Sequence, residues 1–179
     1  ENYHNIGHEI IIIDDGSTDG SKEILNKCDF IHLINQENNQ GKGIAVIQGL
    51  KVANNNRIVI FDGDLELNPL DIKKLMILDE QRDIRCVFAS RYKNLYQFKN
   101  TWDFGNLIFT MIFNLFNNIK IKDALCCAKS FFLSDVNIIN LKSSKFDIDV
   151  EIASMLIKKT RNIRTVYLSY NRRGKVEGK

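Results

Sequence analysis

Proline is nearly absent: a single one stands among 179 residues. Beside the many Asn, Ile and Lys this reads as a base-composition bias and carries no mechanism. Cysteine is also sparse, with Cys28, Cys86, Cys126 and Cys127 the only four. Cys28 and Cys86 lie in apolar surroundings, where free cysteine behaves as a small hydrophobe. The adjacent Cys126 and Cys127 lack the C-x-x-C spacing of a metal or redox site. A disulfide framework is thereby excluded, and a reducing, cytosolic compartment is expected. No secretory signal is visible. The longest apolar run, "LIFTMIFNLF" at 107–116, is about half the roughly 20 residues that a membrane-spanning helix needs. It predicts either a buried helix or a segment lying on a bilayer surface. There is no internal repeat, low-complexity segment or linker, and no basic or aromatic stripe of the kind that binds nucleic acid.

What remains is the composition of an ordinary globular domain, 44% hydrophobic and 26% charged, long enough for one full core. The net charge of +3 has a location. Residues 170–179, "YNRRGKVEGK", hold Arg172, Arg173, Lys175 and Lys179 against Glu177 alone, so this decapeptide carries the entire excess. From charge alone it could be a solvated tail.

Strand-like and helix-like segments alternate. "EIIII" (9–13) and "RIVIF" (57–61) are short β-branched runs without alternation, as expected of strands buried on both faces of a parallel sheet. "FIHLI" (30–34) and "CVFA" (86–89) are weaker versions. Helices are predicted from about Ser21 to Cys28, from Gly43 through Leu50, and from Asn68 as N-cap with Pro69 in the first turn, continuing past Leu75 to Leu78. In the second half a helix is expected over 103–117, strands over 124–132 and 163–170, and a helix carrying Ile148, Ile152, Met155 and Leu156 on one face. The alternation predicts a single α/β domain over 1–179 with βαβ units and a mostly parallel sheet.

In such sheets ligands bind beyond the carboxyl ends of the strands. Two strands end in acids: the first in Asp14 and Asp15, the third in "FDGDLE" with Asp62, Asp64 and Glu66. Both acidic edges are expected on one rim. Asp-x-Asp after an apolar strand offers hard oxygens on a tight turn, which suits Mg2+ or Mn2+ shared with substrate phosphates. Helix-capping acids are the plainer alternative. The basic tail supplies a complement, since arginine forks match phosphate oxygens, and Arg91 in "ASRY" follows the fourth strand.

Taken together, "IIIIDDGSTDGS", "NQGKGIAVIQGL", "IVIFDGDLELNP", "ASRY", "GNLIFTMIFNLF" with "KDALCCAKSF", then "FDIDVEI" and "YNRRGKVEGK" resemble, in order, the motifs of family 2 glycosyltransferases of the GT-A (Rossmann-like) fold. The later pieces resemble the branch of dolichyl- or polyprenyl-phosphate mannosyl- and glucosyltransferases. The resemblance implies that Asp14 and Asp15 hold the base and ribose of a nucleotide, with Lys42 in a loop near it. It implies that Asp62 and Asp64 serve the metal and diphosphate, with Glu66 at a further metal-ligand position. Arg91, Arg173 and Lys179 match positive positions facing the diphosphate or an acceptor phosphate.

Three departures stand out. The family's opening strand and its P-x-Y-N-E turn should precede Glu1, so the chain is expected to be incomplete there. Cys127 replaces a common glycine, and no role is carried over to the cysteines. Relatives often continue past the equivalent of Lys179 into an amphipathic or membrane-spanning segment.

The expected reaction is metal-dependent, inverting transfer of a sugar from a UDP- or GDP-linked donor, with Asp64 central to catalysis. A lipid phosphate acceptor is already anionic. A sugar hydroxyl, as in cell-surface (cell-envelope) polysaccharide synthesis, requires a base, for which Asp149 among Asp147, Asp149 and Glu151 is the candidate. The same acids could instead serve a helix N-terminus through its dipole. Expected partners are the nucleotide-sugar donor and a lipid-phosphate or glycan acceptor, with peripheral association at the cytoplasmic face of a membrane and no nucleic acid. A catalytically inactive nucleotide-sugar-binding module is the rival of another class. A phosphatase of the D-x-D-G-T type fits poorly, because here the glycine lies between the acids and no threonine follows.

Overall fold

A computed structural model of the chain describes residues 3–93 and 101–173. The chain divides into two compact units, Glu1–Asn56 with Val136–Ile152, and Arg57–Asp135 with Ala153–Lys179.

In the first unit, strands β1 (Ile11–Asp14) and β2 (His32–Asn35) pair in parallel, with Ile11 opposite His32 and Asp14 opposite Asn35. The short helix α1 (Ser21–Leu25) lies between them in the chain, and α2 (Lys42–Val52) follows. α2 packs against β1 at Gly49, where a Cβ would stand in ordinary contact, 3.6 Å from the Ile13 side chain. Among the described residues β1 pairs with β2 alone.

In the second unit, β3 (Arg57–Ile60), β4 (Cys86–Ser90), β5 (Lys129–Phe132) and β6 (Ile163–Tyr167) form one sheet in the order β3-β5-β4-β6. β5 is antiparallel to both neighbours and β4 is parallel to β6. β3, β4 and β6 therefore run the same way, and their carboxyl ends share one edge. One core gathers Leu67, Leu75, Val87, Ala128, Phe132 and Leu168. Helix α3 spans Thr101–Asn117, and α4 spans Ile148–Lys159, its residues through Ile152 counting with the first unit.

Three local expectations are corrected. Burial on both faces holds for β4 and β5, the interior strands, but β1 and β3 remain largely half-exposed. The helix expected from Asn68 past Leu75 is a 3-10 helix, Pro69–Lys74. Asn68 does cap it, accepting from the Leu70 N–H at 3.0 Å. Leu75 and Leu78 leave it for the core, and that tertiary burial outweighs helix propensity. Finally, the strand expected over 124–132 forms only at Lys129–Phe132. Before it, the carbonyls of Cys126 and Cys127 accept from the buried Lys129 ammonium, each at 3.0 Å, while Ala128 O still accepts from the Ala89 N–H of β4 at 3.0 Å.

Candidate functional site

The adjacent acids at the end of β1 act first on their own loops. Asp14 is buried, and its carboxylate accepts the Ser17 N–H at 3.3 Å. Asp15 reaches across to the loop before α2, accepting from the N–H of Gln40 at 2.7 Å and of Gly41 at 2.9 Å. Gly16 has φ +75°, and a Cβ there would press on the backbone of Asn38 and Asn39. The turn after β1 and the loop before α2 are thus clasped together. Asp19 accepts from the Ser21 N–H at 3.1 Å ahead of α1; the Ser21 hydroxyl first, and this N–H second, lower its carboxyl below the usual range.

The same loop carries Lys42. Its ammonium lies 2.9 Å from Asp149 with both side chains largely buried, and 5.8 Å from the centre of the Phe146 ring. Gly43 permits this packing, since a Cβ there would collide with the Ser143 carbonyl. Two residues after Asp149, Glu151 accepts from the N–H groups of Lys142 and Ser143 at 2.9–3.1 Å. Burial opposes ionisation of Glu151, but these donors outweigh it and lower its pKa. Asp149 and Glu151 therefore have different tasks: one meets Lys42, the other fixes the loop at 142–143. Asp149, the candidate base, is ion-paired.

In the second unit, the chain leaves β3 through Phe61 and the half-buried Asp62 into the Asp-x-Asp turn. Asp64 accepts from the Glu66 N–H at 3.0 Å, and Leu65 between them takes φ +61°. Beyond β6 the chain returns beside this turn. Leu67 bridges Tyr170, the Asn68 N–H donates to Ser169 O at 3.0 Å, and the Asn171 N–H donates to Glu66 O at 2.7 Å. Arg173 is thereby delivered to the acids. Its Nη2 stands 3.2 Å from Asp64 and its Nε 3.9 Å from Glu66. That Nε is buried and has no hydrogen-bond partner among the described residues.

Arg91 follows β4 on the same edge. Its guanidinium forms two 2.8 Å bonds to Asp123, whose side chain is fully buried, and it lies over the rings of Tyr92 and Tyr170. Burial disfavours the charged form, yet the Asp123 carboxylate holds Arg91 more firmly protonated than an ordinary arginine. Burial also raises the Tyr170 hydroxyl pKa, with the nearby Glu66 adding to it.

Asp64, Glu66, Arg91 and Arg173 thus lie at the carboxyl edge of one sheet, with Asp62 directly before the turn. Asp14, Asp15, Lys42 and Asp149 lie in the other unit, with Lys42 and Asp149 in direct contact. Lys179 lies outside the described residues. Sequence reasoning missed Asp123, Tyr170 and Lys129. Asp123 stood inside a quoted motif, and a lysine within an apolar run was the visible signal for Lys129.

The donor set of the Asp-x-Asp turn is hard carboxylate oxygen, which fits Mg2+ or Mn2+. Asp64 and Glu66 already face a cation, the Arg173 guanidinium. Among the described residues no cluster of three or more His, Cys, Asp or Glu is drawn together around a metal position. A metal would take the rest of its shell from water and ligand oxygens.

The profile described as glycosyl transferase family 2 matches residues 4–138, most of the chain. The chain belongs to glycosyl transferase family 2. It is 29% identical over 201 residues to a UDP-N-acetylglucosamine–dolichyl-phosphate N-acetylglucosaminyltransferase of Methanococcus voltae, covering 95% of this chain and 78% of that one. It is 28% identical to an uncharacterised protein of Methanocaldococcus jannaschii, covering 90% and 76%. Among solved structures, glucosyl-3-phosphoglycerate synthase of Mycobacterium tuberculosis in complex with UDP matches with a TM-score of 0.65 at 15% identity, covering 92% of this chain. The same synthase in complex with Mn2+ and UDP-glucose matches with a TM-score of 0.62 at 16% identity. This likeness shows the fold, which is GT-A. The chain spans about 60% of the length of those synthase chains.

Proposed function

We propose that this family 2 glycosyltransferase transfers a sugar, with inversion, from a UDP- or GDP-linked donor to a polyprenyl or dolichyl phosphate at the cytoplasmic face of a membrane. The observation that carries the reading is the contact of Arg173 with Asp64 and Glu66. A diphosphate leaving group needs positive charge from two directions. One is a divalent cation at Asp62, Asp64 and Glu66, which when bound neutralises charge developing on the diphosphate. The other is Arg173, whose buried Nε still has a proton to donate. In this reading Asp62, Asp64 and Glu66 would hold the cation, and the Arg173 guanidinium would donate to the diphosphate beside it. Asp15 and Lys42 would serve the nucleotide, with Asp14 fixing the turn after β1.

The acceptor phosphate oxygen forms the new bond to the anomeric carbon while the bond to the diphosphate breaks, the electron pair leaving with the diphosphate. An anionic phosphate needs no base. Asp149, already paired with Lys42 at 2.9 Å, supports this acceptor over a sugar hydroxyl. The dolichyl-phosphate transferase among the relatives supports it too, as the Mn2+ and UDP-glucose complex supports the metal and donor class.

The test is turnover of UDP- and GDP-sugars with a short-chain polyprenyl phosphate, followed by mass spectrometry of the lipid. Asp64→Ala is expected to abolish Mn2+-dependent transfer without unfolding the protein. Undiminished transfer in EDTA would overturn the metal role, and donor binding without transfer in the unmodified chain would favour a binding module.

A further inference from the structure

Helix α3 has its polarity reversed relative to a helix that packs on a soluble core. Its buried or half-buried face carries a polar stripe of Asp103, Asn106, Thr110, Asn114 and Asn117, spaced i, i+3, i+7, i+11 and i+14, with Phe113 and Leu107 the apolar residues turned inward beside it. Asp103 accepts from the Tyr92 hydroxyl at 2.9 Å, and Asn106 donates to that hydroxyl at 3.4 Å. The Thr110 hydroxyl accepts from the Ala124 N–H at 3.1 Å. Asn114 bonds both the N–H and the carbonyl of Ile121, at 3.0 and 2.8 Å. These bonds anchor the polar side of the helix to its own unit.

The outward face is apolar. Phe104, Ile108, Met111, Ile112, Leu115 and Phe116 are all exposed, spaced i, i+4, i+7, i+8, i+11 and i+12, with Leu115 at 80% and Phe116 at 83%. Trp102, the only tryptophan of the chain, is 72% exposed in the first turn. An uninterrupted apolar face of this size marks an interaction site. No helix among the described residues is long and apolar enough to cross a membrane, and the inward polar stripe suits a helix lying flat.

Charge says what covers the face. The one ionisable residue of the helix, Asp103, points inward. The exposed Lys120 and Lys122 follow its last turn, and the exposed Lys93 is the chain neighbour of Tyr92, whose hydroxyl bonds Asp103 in the first turn. A two-fold pairing with a second copy would bring these lysine-bearing ends together in either direction, which like charges oppose. An anionic lipid surface satisfies both features, taking the apolar side chains below the headgroups and the lysines among them.

We propose that the outward face of α3 docks this protein on an anionic lipid bilayer, lying in the plane of the interface. The inference deepens the polyprenyl-phosphate reading, and vesicles without polyprenyl phosphate test it apart from catalysis. The 179-residue chain is mixed with phosphatidylcholine vesicles, with or without phosphatidylglycerol, and Trp102 emission and flotation are followed. A blue shift and flotation with the anionic vesicles are expected, and Leu115→Glu with Phe116→Glu should abolish both. Lys120→Gln and Lys122→Gln should each weaken binding roughly fivefold, as should added salt. Donor binding, read by thermal shift, should survive in all variants. Absence of flotation, equal binding to neutral vesicles, or a dimer that Leu115→Glu dissociates would each overturn the proposal. Loss of donor binding or transfer in the unmodified chain, with flotation intact, would count against the proposed function and leave the docking surface standing.

Discussion

Arg173 holds Asp64 at 3.2 Å while its buried Nε has no hydrogen-bond partner among the described residues, so its fork is only partly used there. Charge-assisted hydrogen bonds to phosphate are among the stronger polar contacts. Arg173→Ala is expected to weaken nucleoside diphosphate binding roughly tenfold to hundredfold and nucleoside binding far less, measured by calorimetry on both ligands. Equal losses would remove the phosphate contact. Arg91 behaves differently, because two of its donors are already committed to the fully buried Asp123. Removing one partner of such a pair strands the other charge. Asp123→Asn should therefore destabilise the fold by about 3–5 kcal/mol, read from urea unfolding, and a change within 1 kcal/mol would show the pair to be unimportant.

Among the elements, the loop before α2 is the most constrained. Asp15 holds its backbone at Gln40 and Gly41, Lys42 meets Asp149, and Gly43 donates its N–H to Ser144 O at 3.0 Å. Gly43→Ala would force a methyl group into the Ser143 carbonyl, overpacking that costs about 1–3 kcal/mol. The expected result is a lower unfolding midpoint together with weaker donor affinity, because Lys42 moves with the loop. A stability loss alone would separate the loop from the nucleotide. The loop was legible as Gly-Lys-Gly, but its partner at 143–144 was not, since contact between segments a hundred residues apart leaves no local pattern.

For the molecule as a whole, a ligand that binds only the folded state must raise its unfolding midpoint. UDP- and GDP-sugars with Mn2+ should each be scanned by thermal shift. One nucleotide class is expected to raise the midpoint with Mn2+ and to lose most of that effect in EDTA. A flat response to both would argue against donor binding by this chain.

The sequence determined the family, the α/β alternation and the acids at the strand ends, because these are local: β-branched runs, periodic helices and short motifs each report on a few neighbouring residues. It also placed all the excess charge in the last ten residues. Tertiary structure decided what those charges meet. Only the return of the chain after β6 puts Arg173 on Asp64 and Glu66, and only packing shows that Arg91 belongs to Asp123 and Asp149 to Lys42. Burial of Leu75 and Leu78 shortened the helix after Asn68, and the carbonyls of Cys126 and Cys127, just before β5, turn to the buried Lys129. The apolar run at 107–116 predicted a helix but left its outer face open between core and bilayer. The inward hydrogen bonds of Thr110 and Asn114 turn that apolar face outward, a choice made by the partners of the helix and invisible in its periodicity.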